Sequence, residues 1–333
     1  MPAGTACRRI APGPNEARSH SEPHRPSPIQ LTSSGGAVFP ALSPGSRAFK
    51  PFPMLGDQSA RRAYWTEQLE AAHDFMQRAR AFPVEDCDEK LLDLPRAVQA
   101  AGVRIEFSTR KHALGLDRIF RLRAGLVDGL LAAGAEMNRR GWVMRVEDGY
   151  RTRQMQKHLG LQPAIFDAIL KSVRWELDGR KPAPDFFLRR SLALVALRPK
   201  VGTHMSGSAI DISAGDLASG REIDRGASYL EMSELTPMLS PFVSPAARQN
   251  RLEITGIMRR HGFVEYPFEF WHFNGGDVYE AILLGSATPA RYGAIDWEPA
   301  NDSIRPISNP DEPLNSPEEI RAEIDQALRR MGL

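Results

Sequence analysis

Gly202-Thr203-His204-Met205-Ser206-Gly207-Ser208-Ala209-Ile210-Asp211 reads as a loop of small residues entering a short apolar strand, Ala209 to Ile212, in which Asp211 is the only charge. A carboxylate in an apolar strand needs a partner, because burying an unpaired charge is costly. Far downstream, Glu269-Phe270-Trp271-His272 supplies a second imidazole and an acid three residues ahead of it. His204, Asp211 and His272 can fill three corners of a zinc tetrahedron and leave the fourth open for water, while Glu269 stays uncoordinated as a general base. Zn2+ held by two neutral imidazoles and one carboxylate keeps a net positive charge and pulls the pKa of bound water from about 15.7 towards about 7. The pattern predicts one zinc per chain and a hydrolytic, peptidase-type chemistry. Taken singly, each residue has a plainer reading: a hydrogen-bonded structural histidine, or an aspartate paired with an arginine.

The second block makes a geometric demand. On a flat strand, residues three apart point to opposite faces, so Glu269 and His272 can address one metal only if the backbone bends between Phe268 and Phe273. Upstream, the alternating run Trp142-Val143-Met144-Arg145-Val146-Glu147 predicts a strand that ends at Asp148-Gly149-Tyr150-Arg151. Arg151 at a strand end suits an oxyanion-stabilising role, since a guanidinium aimed at a tetrahedral intermediate favours the transition state over the ground state. The alternative is a salt bridge with Glu147 or Asp148. Arg145 and Arg153 are weaker candidates for the same task.

These three ordered blocks, His204-x6-Asp211, Glu269-x-Trp271-His272 and Glu147-Asp148-Gly149-Tyr150-Arg151-Thr152, resemble the D-alanyl-D-alanine dipeptidase and carboxypeptidase family of bacterial zinc peptidases. The resemblance covers about Leu114 to Leu284 and looks closer to the dipeptidase branch. It implies that His204, Asp211 and His272 bind Zn2+, that Glu269 is the general base, that Arg151 polarises the scissile carbonyl, and that the partner is a small cell-wall peptide. It also implies substrate contacts from Thr203, Tyr150 and Trp271. The chain departs from the branch in two places. Gly202 stands where a hydroxyl residue is common, leaving only Thr203, and Leu230 to Pro237 lacks a carboxylate at the place expected to hold the substrate's amine, so Glu231 or Glu234 is the candidate replacement. Another wall linkage such as L-Ala-D-Glu, or a non-catalytic zinc module like the Hedgehog signalling domain, are the competing expectations. Retention of Glu269 and Arg151 speaks against the second, because binding alone needs neither.

Helical periodicity begins near Arg61, with Tyr64, Trp65, Leu69, Ala72, Phe75, Met76 and Ala79 on one stripe, and recurs over about Asp117 to Arg139, from Pro163, around Phe187 to Leu197 and over Arg248 to His261. Strands are few and do not alternate regularly with helices. The expected class is α+β, a single domain with a small, mostly antiparallel sheet flanked by helices. Ten of the 26 prolines fall in the first 53 residues, so residues 1–60 are expected to be disordered. The peptidase domain is placed at 61–285, followed by a Pro/Gly-rich tail, 286–333, with a capping-box helix from Ser316-Pro317-Glu318-Glu319.

With 333 residues and 42% hydrophobic content the chain can bury a sizeable core. A formal net charge of +2 without a sustained basic run predicts no nucleic-acid partner. Two cysteines, Cys7 and Cys87, make no disulfide framework. No run approaches the ~20 apolar residues of a membrane span, and no apolar stretch follows the arginines of Met1 to Ile10. A cytoplasmic location is expected, with a periplasmic one requiring a different start or export route. The sequence assigns no oligomeric state.

Overall fold

The protein is described by a computed structural model over residues 57–333. Most of the segment expected to be disordered, with Cys7, lies outside the described residues. The chain runs α1 (Gln58–Ala81), β1 (Leu91–Asp93), α2 (Leu94–Ala101), β2 (Ile105–Phe107), β3 (Arg121–Arg123), α3 (Ala124–Arg139), β4 (Trp142–Asp148), α4 (Arg153–Leu159), α5 (Pro163–Glu176), α6 (Pro184–Ser191), β5 (Ala209–Asp216), α7 (Pro245–Arg260), β6 (Val264–Glu265), β7 (His272–Asn274), α8 (Val278–Leu283), β8 (Ile295–Glu298), β9 (Ser303–Pro306) and α9 (Pro317–Arg330). No helix among the described residues is long and apolar enough to cross a membrane.

The main sheet has five strands in the order β2-β4-β5-β7-β6. Only the β2–β4 pair is parallel; the others are antiparallel. The α+β class therefore holds, and β5 is the middle strand. Strand alternation divides its side chains by task. Ile210, Ile212 and Ala214 join a core with Leu126, Leu130 and Met137 of α3 and Ile254, Ile257 and Met258 of α7. Burying each isoleucine contributes about 1.5–3 kcal/mol. Asp211 and Ser213 occupy the opposite face, where Ser213 donates to Glu147 at 2.5 Å.

A second core brings Trp65, Leu69 and Ala72 of α1 together with Ile165, Phe166 and Ile169 of α5, Phe187 of α6, and Ile320, Ile324 and Ala327 of α9. The Pro/Gly-rich segment beyond 285 lies in the same compact unit as residues 57–285. The Ser316 capping box is present, with Ser316 accepting from Glu319 N at 3.1 Å and the Glu319 side chain accepting from Ser316 N at 2.7 Å.

The helix expected over 117–139 is shorter than its apolar spacing implied. Residues 121–123 pair antiparallel with Leu91–Asp93, and Arg123 is wholly buried, donating to the carbonyls of Ser206 and Glu89 at 2.7 Å each. A long-range ladder and a buried guanidinium thus capture residues that local periodicity assigned to α3, and tertiary pairing overrides propensity.

Candidate active site

Register builds the site. Asp211 of β5 lies directly opposite His272 of β7, and opposed residues of an antiparallel pair share one face. On its other side β5 pairs with β4, where the register shifts between Val146 and Asp148, and Asp148 comes to lie opposite Asp211. A bulge of this kind bends the strand and re-aims the residues beyond it. Arg151 N then donates to His204 O at 3.2 Å, tying the strand end to the histidine loop. That loop turns at Gly207, whose φ is +67° and where a Cβ would stand 2.3 Å from the Leu91 side chain; only glycine fits.

The bend expected between Glu269 and His272 is a turn, closed by His272 N donating to Glu269 O at 3.2 Å. Strand β7 begins only at His272, so Glu269 escapes the strand alternation and lines the same cleft as His272, His204, Asp211 and Arg151.

His204, Asp211 and His272 are buried, and their ligating atoms lie within 4.8 Å of one another. His204 Nδ1 sits 2.6 Å from the Gly149 carbonyl, an acceptor only, so that nitrogen carries the proton and Nε2 presents a lone pair. His272 Nε2 lies 3.1 Å from Asn274 Oδ1, two residues along the same strand face, and 3.1 Å from Thr203 Oγ1. That leaves His272 Nδ1 bare. Both bare nitrogens face Asp211 Oδ1, at 3.2 Å from His204 and 2.9 Å from His272. With both rings neutral in these tautomers, three electron pairs converge, an arrangement that repels unless a cation lies between. Ligands about 2.0–2.1 Å from a tetrahedral ion stand on the order of 3.3 Å apart, so the donor set fits zinc.

Asp211 Oδ2 is turned away from the histidines and accepts from the Tyr229 hydroxyl at 2.8 Å and from Arg151 at 3.2 Å. Burial works to raise the Asp211 carboxyl, but the adjacent His204 and His272 outweigh it and hold it well below the usual carboxylate range. Burial lowers His204, with Arg151 adding to the effect. It would lower His272 too, yet the Asp211 carboxylate beside the ring favours its protonated form, overrides burial and raises it. For Glu269 burial dominates and pushes the carboxyl up to about 8.

Arg151 makes the salt bridge with Asp148 that the sequence allowed, and it also lines the cleft. Its Nε donates to Asp148 at 2.8 Å, and its two terminal nitrogens donate to Gln156 at 3.3 Å and Asp211 at 3.2 Å. Three of the five N–H groups of a guanidinium are thereby used, leaving two. Asp148 also takes Arg118 at 2.7 Å, with His112 Nε2 at 3.6 Å. Burial, reinforced by Arg151, pushes His112 down to about 4, so its ring is neutral. Arg145 and Arg153 pair instead with Glu106 at 3.0 Å and Asp296 at 2.9 Å, outside the cleft lining.

The remaining expected contacts divide. Thr203 and Trp271 line the cleft. Tyr150 does not: its hydroxyl donates to Ile295 O at 3.0 Å and accepts from Trp297 N at 3.1 Å, because consecutive residues of an extended segment point oppositely and Arg151 takes the cleft side. Glu231 and Glu234 are also outside the lining, which is formed there by Leu230 and Met232. Glu234 pairs with Arg61 of α1, and Glu231 falls between two residues that face inward. The structure thus places these three residues outside the cleft lining. Tyr229 was missed, since nothing in its neighbourhood marks it as the partner of an aspartate 18 residues earlier.

The fold and site define an α+β protein with a His-Asp-His cluster that could hold a metal ion, a further carboxylate and a guanidinium in one cleft. The chain belongs to the D-Ala-D-Ala dipeptidase family of peptidases, whose profile matches residues 90–284. It is 33% identical over 118 residues to the D-alanyl-D-alanine dipeptidase of Escherichia coli, a match covering 34% of this chain and 55% of that one. With the enzyme of the same name from Enterococcus faecalis it is 32% identical over 71 residues, 21% of this chain and 35% of the relative. The match thus spans about half, or less, of these relatives' length. Among solved structures it is similar to the vancomycin-resistance D,D-pentapeptidase VanY in complex with Zn(II) (16% identity, TM-score 0.30, 53% of this chain and 84% of that one). It is also similar to the LD-carboxypeptidase LdcB (16%, TM-score 0.31, 61% and 75%).

Proposed function

We propose that the protein is a zinc-dependent peptidase acting on D-Ala-D-Ala-type bonds of peptidoglycan peptides. The observation that carries this reading is the convergence of His204 Nε2, His272 Nδ1 and Asp211 Oδ1 beside Glu269 and Arg151. His204, Asp211 and His272 would hold the zinc, which when bound supplies Lewis acidity and lowers the pKa of water to about 7. Glu269 accepts the proton of the attacking water and passes it to the leaving amine. Among the described residues no side-chain hydrogen bond engages its carboxylate, so it is available for that transfer. Arg151, locked by Asp148, Gln156 and Asp211, directs its two remaining N–H groups at the developing oxyanion without reorganising.

Elemental analysis after dialysis is expected to find one zinc per chain. The loaded enzyme should cleave D-Ala-D-Ala or a pentapeptide ending in it, lose that activity to a chelator and regain it with zinc. A folded, zinc-free protein that gains no thermal stability from added zinc would refute the metal site. Cleavage of L-Ala-D-Glu alone would move the substrate to another linkage.

Tyr229 belongs to this reading as a positioning residue. Its ring stands edge-on to Trp271, with centroids 5.6 Å apart, and its hydroxyl occupies Asp211 Oδ2, leaving Oδ1 for the ion. Partners of metal ligands typically contribute about 10–100-fold in affinity. Tyr229→Phe is therefore expected to speed zinc loss to a chelator by about that factor, with little change in melting temperature of the zinc-free protein. An unchanged rate would remove Tyr229 from the site.

A further inference from the structure

Beyond the metal cluster the cleft continues past Leu159, Ile165, Leu194, Val195, Leu230 and Met232. Among the described residues lining it, the only carboxylates are Asp211 and Glu269. Asp211 has one oxygen on the histidines and the other on Tyr229 and Arg151, and Glu269 is needed as the base. A free ammonium entering this cleft would give up its water and find no counter-ion. Arg151 is the one Lys or Arg among the described lining residues and lies at the metal cluster, so the substrate's negative end is drawn towards the cluster without needing a direct contact. The apolar stretch therefore falls to the amino side of the scissile bond.

Leu230 makes this wall more than leftover core surface. Its φ is +67°, a left-handed conformation that is uncommon outside glycine, asparagine and aspartate and is strained for a bulky side chain. Such strain persists only where the surroundings over-determine it. Here the side chain is wedged against both main cores while lining the cleft, and the backbone twist leaves Glu231 outside the lining.

We propose that this wall is a subsite for an uncharged apolar group on the amino side of the scissile bond, an N-acyl chain or the continuation of a peptide, and that it disfavours a free ammonium. The inference rests on the peptidase reading and specifies its substrate class.

The test compares D-Ala-D-Ala with its N-acetyl and N-hexanoyl derivatives on the zinc-loaded enzyme. Each buried methylene adds up to about fourfold, so kcat/KM is expected to rise along the series, with the hexanoyl compound at least tenfold above the free dipeptide. Leu230→Asp, a residue that tolerates the left-handed backbone, should turn the preference towards the free amine. Leu230→Gly should flatten the series, with the strain it relieves partly offsetting the packing lost from the two cores. Wild-type preference for the free dipeptide overturns the subsite. Calorimetric binding of the same three compounds to zinc-loaded Glu269→Gln reads the subsite without turnover. Failure to cleave any peptide thus counts against the peptidase reading, whereas tighter binding of the free dipeptide than of the hexanoyl compound counts against the subsite alone.

Discussion

Glu269→Gln is expected to keep one zinc per chain and to lose about 10^2 to 10^4 in kcat, the span typical of a removed general base. The substitution preserves shape and removes the proton acceptor. Glu269 lines the cleft but is absent from the cluster of converging ligand atoms, so zinc retention and turnover should separate. Stability should move the other way. Burial raises the Glu269 carboxyl to about 8 in the zinc-free protein, while an unfolded chain titrates near about 4.3. Between those values the folded state binds more protons than the unfolded one, so Glu269 makes stability fall as pH rises through that window. Glutamine has no such penalty, and zinc-free Glu269→Gln is expected to melt at or above the wild type at pH 8, with the difference vanishing near pH 4. Bound zinc opposes the shift, so the acid limb of the loaded enzyme's activity profile should lie below pH 8 and be lost in the variant. Wild-type turnover in the variant, measured with zinc bound, would reassign the base.

The site was legible where chemistry and periodicity coincide. Ile210, Asp211 and Ile212 announce a buried strand with one charged position, and the need to bring Glu269 and His272 to one ion required a bend that appears as the turn closing on Glu269 O. What escaped depends on register and long-range packing. Tyr229 reaches Asp211 only because the loop after β5 folds back over Trp271. Arg118 and His112 reach Asp148 from a segment that helical spacing had assigned partly to α3. Tyr150 and Arg151 are neighbours in one motif, yet the backbone sends one to the Ile295 carbonyl and the other to the cleft. A motif marks which residues matter without marking which way each one points. Likewise Glu231 and Glu234 offered the right charge in the right stretch, but Leu230 and Met232 took the inward positions.

Arg151→Ala is expected to lower kcat by about 10^2 to 10^3, the range for loss of one preorganised oxyanion donor, with a much smaller change in KM. The oxyanion exists in the transition state and not in the bound substrate, so the loss should fall on kcat and kcat/KM alike. Arg151 is also structural, and that consequence must be measured beside the first. It supplies donors to Asp148 and Asp211, both buried. Removing one partner of a buried pair typically costs about 3–5 kcal/mol, because the other charge is left behind. Asp148 keeps Arg118 at 2.7 Å and Asp211 keeps Tyr229 at 2.8 Å, so the lower end applies and the variant should still fold. Arg151→Lys separates the roles. An ammonium restores the charge in the buried cluster but cannot engage Asp148, Gln156 and Asp211 in the same planar fork while keeping donors for a third oxygen. Lysine should therefore recover most of the melting temperature and little of kcat. If lysine restores both together, Arg151 acts only by holding Asp148 and Asp211 in place; if alanine raises KM alone, its contact is with the ground-state substrate.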